Sequence, residues 1–176
     1  MSSTPPGSRD RLPIIVMGVS ASGKSTVGAA LARALTLPFL DGDELHTQHN
    51  MEKMSRGEPL TDEDRAPWLA AVAAVLADEA RHPRGVVVAC SALKAVYRSE
   101  LRAASPGVKL VFLDAAPELI AQRLAARRHH FMPAALAASQ FAVLERPDPA
   151  DFAVVRLDAA LAVEALVQAA RRALGR

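Results

Sequence analysis

The run Gly18-Val19-Ser20-Ala21-Ser22-Gly23-Lys24-Ser25 fits G-x-x-x-x-G-K-[ST], and few folds accommodate such a segment. A glycine-rich turn lets successive backbone N–H groups point into one concavity. A helix beginning there adds its own free N–H groups and its positive dipole end. Together they cradle phosphate oxygens. Lys24 has the reach for β- and γ-phosphates, and Ser25 can set its hydroxyl on Mg²⁺. The residues from Gly18 to Thr26 are therefore expected to bind a nucleotide. The flanks agree: Ile14-Ile15-Val16-Met17 reads as a buried strand, and residues 24–35 as a helix with Val27, Ala30, Leu31, Ala34 and Leu35 on one face. Gly28, Ala29 and Ala30 would let that helix dock closely on the sheet.

The rest of the chain alternates in the same way. Strands are expected at Pro38–Leu40, Val86–Cys90, Lys109–Asp114 and Phe152–Leu157. Helices are expected near 67–81, 94–104, 117–127, 134–145 and 160–174. The helix at 67–81 would carry Pro67 in its first position and Trp68, Leu69, Val72, Val75 and Leu76 on one face. Strands alternating with helices predict an α/β fold with right-handed crossovers and a parallel sheet covered on both faces. Residues 44–66 are the most polar interior stretch and read as a substrate-facing insertion. Residues 1–11 read as a disordered tail before one domain spanning 12–176.

Composition narrows the function classes. Hydrophobic residues make up 51% of 176, enough for a sizeable core. The net charge of +2, with 19 acidic residues spread among the basic ones, argues against a nucleic-acid partner. The longest apolar runs are about five residues where a bilayer needs ~18, so no membrane span is expected. A single cysteine, Cys90, excludes an internal disulfide and fits a cytoplasmic location. Cys90 and Trp68 read as packing residues.

A phosphate loop does not by itself separate kinases from GTPases and ATPases. A GTPase would carry D-x-x-G and N-K-x-D, and neither occurs. The strand at Val86–Cys90 ends in Cys-Ser rather than an acid, as a motor ATPase would require. The acidic partner is expected instead at Asp41 and Asp43, two residues apart after the second strand. One could join the Mg²⁺ shell while the other orients an attacking hydroxyl.

Further segments carry a family resemblance. These are Phe39-Leu40-Asp41-Gly42-Asp43 with Leu45-His46, Gly57-Glu58-Pro59-Leu60, Asp62, Asp64-Arg65 with Pro67-Trp68-Leu69, Cys90-Ser91-Ala92-Leu93-Lys94 with Tyr97-Arg98, and Gln140-Phe141 with Leu144-Glu145. In this register the chain resembles the small P-loop gluconokinases, relatives of shikimate kinase, over roughly residues 13–174. The resemblance implies a three-layer α/β/α P-loop kinase fold with a five-stranded parallel sheet, a substrate-binding insertion and a lid at about 127–137. It implies ATP-dependent phosphorylation of D-gluconate at its 6-hydroxyl with Mg²⁺, in a homodimer. One departure is visible: His129 stands where the family has glycine in the lid. The alternatives are a kinase for another small hydroxy acid such as shikimate, or a non-catalytic ATP-binding module.

Gluconate is a polyol with one carboxylate, so its site needs hydroxyl partners and a cation. His46, Arg65, Lys94 and Arg98 are the candidates beside Asp43. Asp41 and Ser25 would face the metal. Arg127, with Arg123 second, would stabilise charge on the transferring phosphoryl group; Lys24, Asp43 and Arg127 form the expected catalytic set. The adenine pocket is expected near Arg146–Asp151.

Overall fold

A computed structural model describes residues 11–126, 134–148 and 154–176. Five strands, β1 (Ile14–Met17), β2 (Phe39–Asp41), β3 (Val87–Ala89), β4 (Lys109–Asp114) and β5 (Val154–Asp158), form one parallel sheet in the order β2-β3-β1-β4-β5. The helices are α1 (Lys24–Leu35), α2 (Gln48–Ser55), α3 (Asp62–Ala77), α4 (Ala95–Ala104), α5 (Pro117–Ala126), α6 (Ala134–Val143) and α7 (Val163–Ala173).

The period-2 geometry of a strand sends neighbouring side chains to opposite faces. On β1, Ile14 and Val16 join one core with Val27 and Leu31 of α1, Ile120 of α5 and Leu166 of α7. Ile15 and Met17 join a second core with Trp68, Val72 and Leu76 of α3 and Leu101 of α4. Every residue of β1 is fully buried, which explains why the strand reads as an uninterrupted apolar run. The result is the three-layer α/β/α architecture expected above.

Helix α2 lies in the stretch expected as a polar insertion, and two of the expected helices, α1 and α3, differ most from the sequence reading. The first buries Val27, Gly28, Leu31 and Ala32, so its apolar face is rotated from the one expected. Gly28 permits this: a Cβ there would lie 2.8 Å from the Phe39 ring, so the lack of a side chain lets that face approach β2. Helix α3 begins at Asp62 rather than Pro67 and ends at Ala77 rather than 81. Thr61 caps it. The Thr61 hydroxyl accepts the Asp64 N–H at 3.2 Å and the Asp64 carboxylate accepts the Thr61 N–H at 2.8 Å, a reciprocal capping box. Pro67 therefore falls inside the helix, where it deprives the carbonyl of exposed Glu63 of its helical donor. The polar stretch 44–66 contains the end of a 3₁₀ turn (Gly42–Leu45), all of α2 and the start of α3.

Candidate active site at the carboxyl edge of the sheet

Ligands of open parallel sheets lie beyond the carboxyl ends of the strands, and this edge gathers the chemistry-bearing residues. After β1 the chain makes the phosphate-loop turn into α1. Ala21 (φ 62°) and Gly23 (φ 102°) both take left-handed backbone there. Glycine adopts that conformation without penalty, whereas alanine bears a strain of about 1 kcal/mol or more. The turn is braced by the Ser22 N–H donating to Val19 O at 3.2 Å, and Lys24 Nζ donates to Val19 O at 3.0 Å. Ser22 is 1% exposed, and among the described residues its Oγ has no hydrogen-bond partner. An orphaned buried hydroxyl is uncommon and calls for a partner. Beside a lysine and a row of turn amides, a nucleotide's phosphates fit this cradle.

A divalent cation fits next to it. Ser25 Oγ donates to Asp41 Oδ2, and Asp41 Oδ1 accepts the Asp43 N–H at 3.1 Å. A hydroxyl and a carboxylate are hard oxygen ligands of the kind Mg²⁺ takes. Among the described residues no group of three or more His, Cys, Asp and Glu could hold a metal on its own. The ion would therefore draw its remaining ligands from phosphate oxygens and water.

Asp43 is carried by the 3₁₀ turn directly after β2. Trp68 Nε1 donates to Gly42 O at 2.7 Å from the buried face of α3, which locks the turn to the second core. Trp68 also stacks on His46, with ring centroids 4.5 Å apart and planes 11° from parallel. Buried Asn50 fixes the imidazole. Its Nδ2 donates to Asp64 O at 2.7 Å, so the same amino group faces His46 Nδ1 at 3.3 Å and makes that nitrogen the acceptor. His46 thus keeps its proton on Nε2, as a hydrogen-bond donor.

Burial is the largest influence on His46 and holds its pKa below 6.5, although Asp43 pulls the other way. The unfolded chain binds the proton more readily, so this contribution to stability is complete above about pH 6.5 and fades as pH falls below it. Asp64, held down to about 2 chiefly by its hydrogen bond from Lys53, loses its contribution only below its ordinary 3.8. The two windows are separate. His46→Gln is expected to flatten the fall in urea midpoint between about pH 7 and pH 5. An unchanged slope in that variant would assign the fall to other groups.

Arg65 Nη1 donates to Tyr97 Oη at 3.3 Å and lies 3.9 Å from Asp62 Oδ1. Lys94 Nζ donates to both Asp62 oxygens at 2.7 and 2.9 Å, and Tyr97 Oη donates to Asp62 as well. The Lys94 and Tyr97 bonds, in that order, hold the Asp62 carboxyl below its usual range.

One cleft brings together Ser20 and Lys24 of the phosphate loop with Asp43, His46 and Arg65. Lys94 and Arg98 do not line it. Arg98 is 4% exposed and donates to Ala92 O and Leu93 O at 2.9 and 3.0 Å, bracing the loop after β3. Arg123 likewise braces the phosphate loop. Its Nη1 donates to Ala21 O at 3.1 Å and Ser22 O at 2.9 Å, and its Nη2 to Ala159 O at 2.6 Å. Arg127 and His129 lie outside the described residues, as do residues 149–151 of the expected adenine loop; Arg146 pairs with Asp114 at 3.5 Å. Cys90 is fully buried, and desolvation pushes its thiol up to about 12, so it is an unreactive packing residue. The cleft also takes Ser91, Leu136, Ser139 and Gln140, none of which was singled out as a site residue from sequence.

A family model described as an AAA domain matches residues 14–147. The gluconokinase of Gluconobacter oxydans (strain 621H) is 48% identical over 134 residues, 76% of this chain and 75% of that protein. The thermosensitive gluconokinase of Escherichia coli (strain K12) is 46% identical over 145 residues, 82% of this chain and 77% of that protein. The crystal structure of a gluconokinase from Sinorhizobium meliloti 1021 superposes with a TM-score of 0.85 at 45% identity, covering 96% of this chain and 94% of that one. The chain belongs to the gluconokinase family. As in any P-loop kinase, the cradle serves a nucleotide with its divalent metal. No helix among the described residues is long and apolar enough to cross a membrane.

Proposed function

We propose that this chain transfers the γ-phosphoryl group of ATP to the 6-hydroxyl of D-gluconate. The observation that carries this reading is the shared cleft, in which Ser20 and Lys24 face Asp43, His46 and Arg65. Phosphoryl transfer needs little covalent chemistry from the protein, so positioning and charge stabilisation must supply the rate. Asp43 accepts or orients the proton of the attacking hydroxyl. His46 Nε2–H donates to an acceptor hydroxyl, and Arg65 faces the carboxylate end. Lys94 supports Arg65 through Asp62, which both cations share. Lys24 meets the β- and γ-phosphates. Ser25 and Asp41 would hold Mg²⁺, which when bound would neutralise charge on the phosphates. Arg123 fixes the loop that grips them, and Arg127 adds positive charge at the transferring group. The chain acts in the cytoplasm as a homodimer.

A coupled ATP-consumption assay against gluconate, other sugar acids, shikimate and nucleoside monophosphates tests the reading. Turnover specific to gluconate is expected. Turnover with shikimate alone, or with none of the acceptors, contradicts it.

A further inference from the structure

Gln140 reaches the phosphate loop from α6, 120 residues away along the chain, and its Oε1 accepts the Ser20 N–H at 2.6 Å. The same side chain lines the cleft that holds Asp43, His46 and Arg65. It stands where the phosphate loop and the acceptor-side residues meet. The segment after α6 is tied down on the acceptor side. Glu145 N–H donates to Leu93 O at 2.9 Å, and the Glu145 carboxylate accepts the Ala95 N–H at the start of α4 at 2.7 Å. Gln140 is thus held between a bond to the loop and an anchor five residues further on.

A primary amide carries an acceptor at one end and two donors at the other. With Oε1 on Ser20, the end that can serve a ligand in the cleft is Nε2. We propose that Gln140 is a specificity-determining residue for the acceptor. Its Oε1 sets the lip of the phosphate loop while Nε2 donates to a hydroxyl of the polyhydroxy acid. The inference rests on the sugar-acid kinase reading above. Its physical content is registration. A hydroxyl bonded to a side chain that is itself bonded to the phosphate loop is fixed relative to the phosphoryl group, and such fixing lowers the barrier to transfer. It also gives selectivity, because an acceptor without that hydroxyl leaves this half-buried donor without its ligand partner.

Gln140→Ala and the volume-conserving Gln140→Met are the test, read three ways: KM for gluconate and for ATP, ATP affinity by calorimetry, and hydrogen exchange at the Ser20 amide. Expected in both variants are a rise of about tenfold in gluconate KM, the loss of roughly one good hydrogen bond, and faster exchange at Ser20. ATP affinity should stay within about threefold, since the remaining loop amides and Lys24 are untouched. A gluconate KM unchanged in both variants overturns the proposal, even if Ser20 exchange rises, because Gln140 would then brace the loop and nothing more. If the wild-type protein phosphorylates another polyhydroxy acid and not gluconate, the gluconate assignment alone fails. The same comparison with that acid then decides the role of Gln140.

Discussion

Asp43→Asn is expected to lower kcat by about 10²–10⁴-fold, the usual contribution of a positioned general base. ATP affinity should change by less than about threefold. The asymmetry follows from where Asp43 sits. It is carried by the 3₁₀ turn beyond β2, in the cleft but outside the phosphate loop, and its backbone N–H donates to the metal-side residue Asp41. The asparagine keeps that N–H and the side-chain shape, and loses the carboxylate's charge and with it the ability to take a proton. Steady-state kinetics combined with calorimetric ATP binding checks both halves. Full activity in the variant removes Asp43 from the acceptor role. A parallel collapse of ATP binding would instead make Asp43 part of the nucleotide site.

Gly42→Ala is expected to be nearly as damaging through geometry alone. A Cβ on Gly42 would sit 2.4 Å from the Ala89 carbonyl oxygen, a backbone atom of the adjoining strand β3. The backbone cannot yield as a flexible side chain would, so the turn itself must move. Overpacking of this kind costs about 1–3 kcal/mol. The larger effect is on rate. Gly42 lies between Asp41 and Asp43, and its carbonyl accepts the Trp68 Nε1–H, so a shift displaces both carboxylates and strains the buried bond that holds them. A displacement near 1 Å costs about 10²-fold in rate. Gly107→Ala is the control, since nothing among the described residues lies within 4 Å of a Cβ there. Both variants are compared by thermal melting and kcat. A Gly42→Ala enzyme as active and stable as the Gly107→Ala one would show that the turn does not set the acid pair.

These residues also show how far sequence reasoning reaches. The phosphate loop was legible because its chemistry is local: the glycines, the lysine and the helix start occupy consecutive positions. The layers were legible because β1 and β3 are buried on both faces and show no alternation, while the intervening helices do show a period. The rotation of α1 was not legible, since it depends on Gly28 meeting Phe39 from another element. The start of α3 is marked by Thr61 and Asp64, a local capping pattern that a reading starting the helix at Pro67 leaves unused.

Among site residues the division is similar. Asp43, His46 and Arg65 follow from motifs and do share a cleft with Lys24. Lys94 and Arg98 carry the same charge in the same segment. Yet Lys94 is bound to the Asp62 carboxylate and Arg98 to two backbone carbonyls. Nothing in a one-dimensional pattern separates a cation facing a ligand from one bracing a loop. Gln140 illustrates the converse. Its contact spans 120 residues, and the only sequence signal was its place in the family-like Gln140-Phe141 pair.

The most direct measurement is a crystal structure with a non-hydrolysable ATP analogue, Mg²⁺ and gluconate bound together. The triphosphate is expected against the amides of residues 18–26, and the gluconate 6-hydroxyl within hydrogen-bonding distance of the Asp43 carboxylate, in line with the γ-phosphorus. A sugar acid bound away from Asp43, or a nucleotide held elsewhere than on that loop, would contradict it.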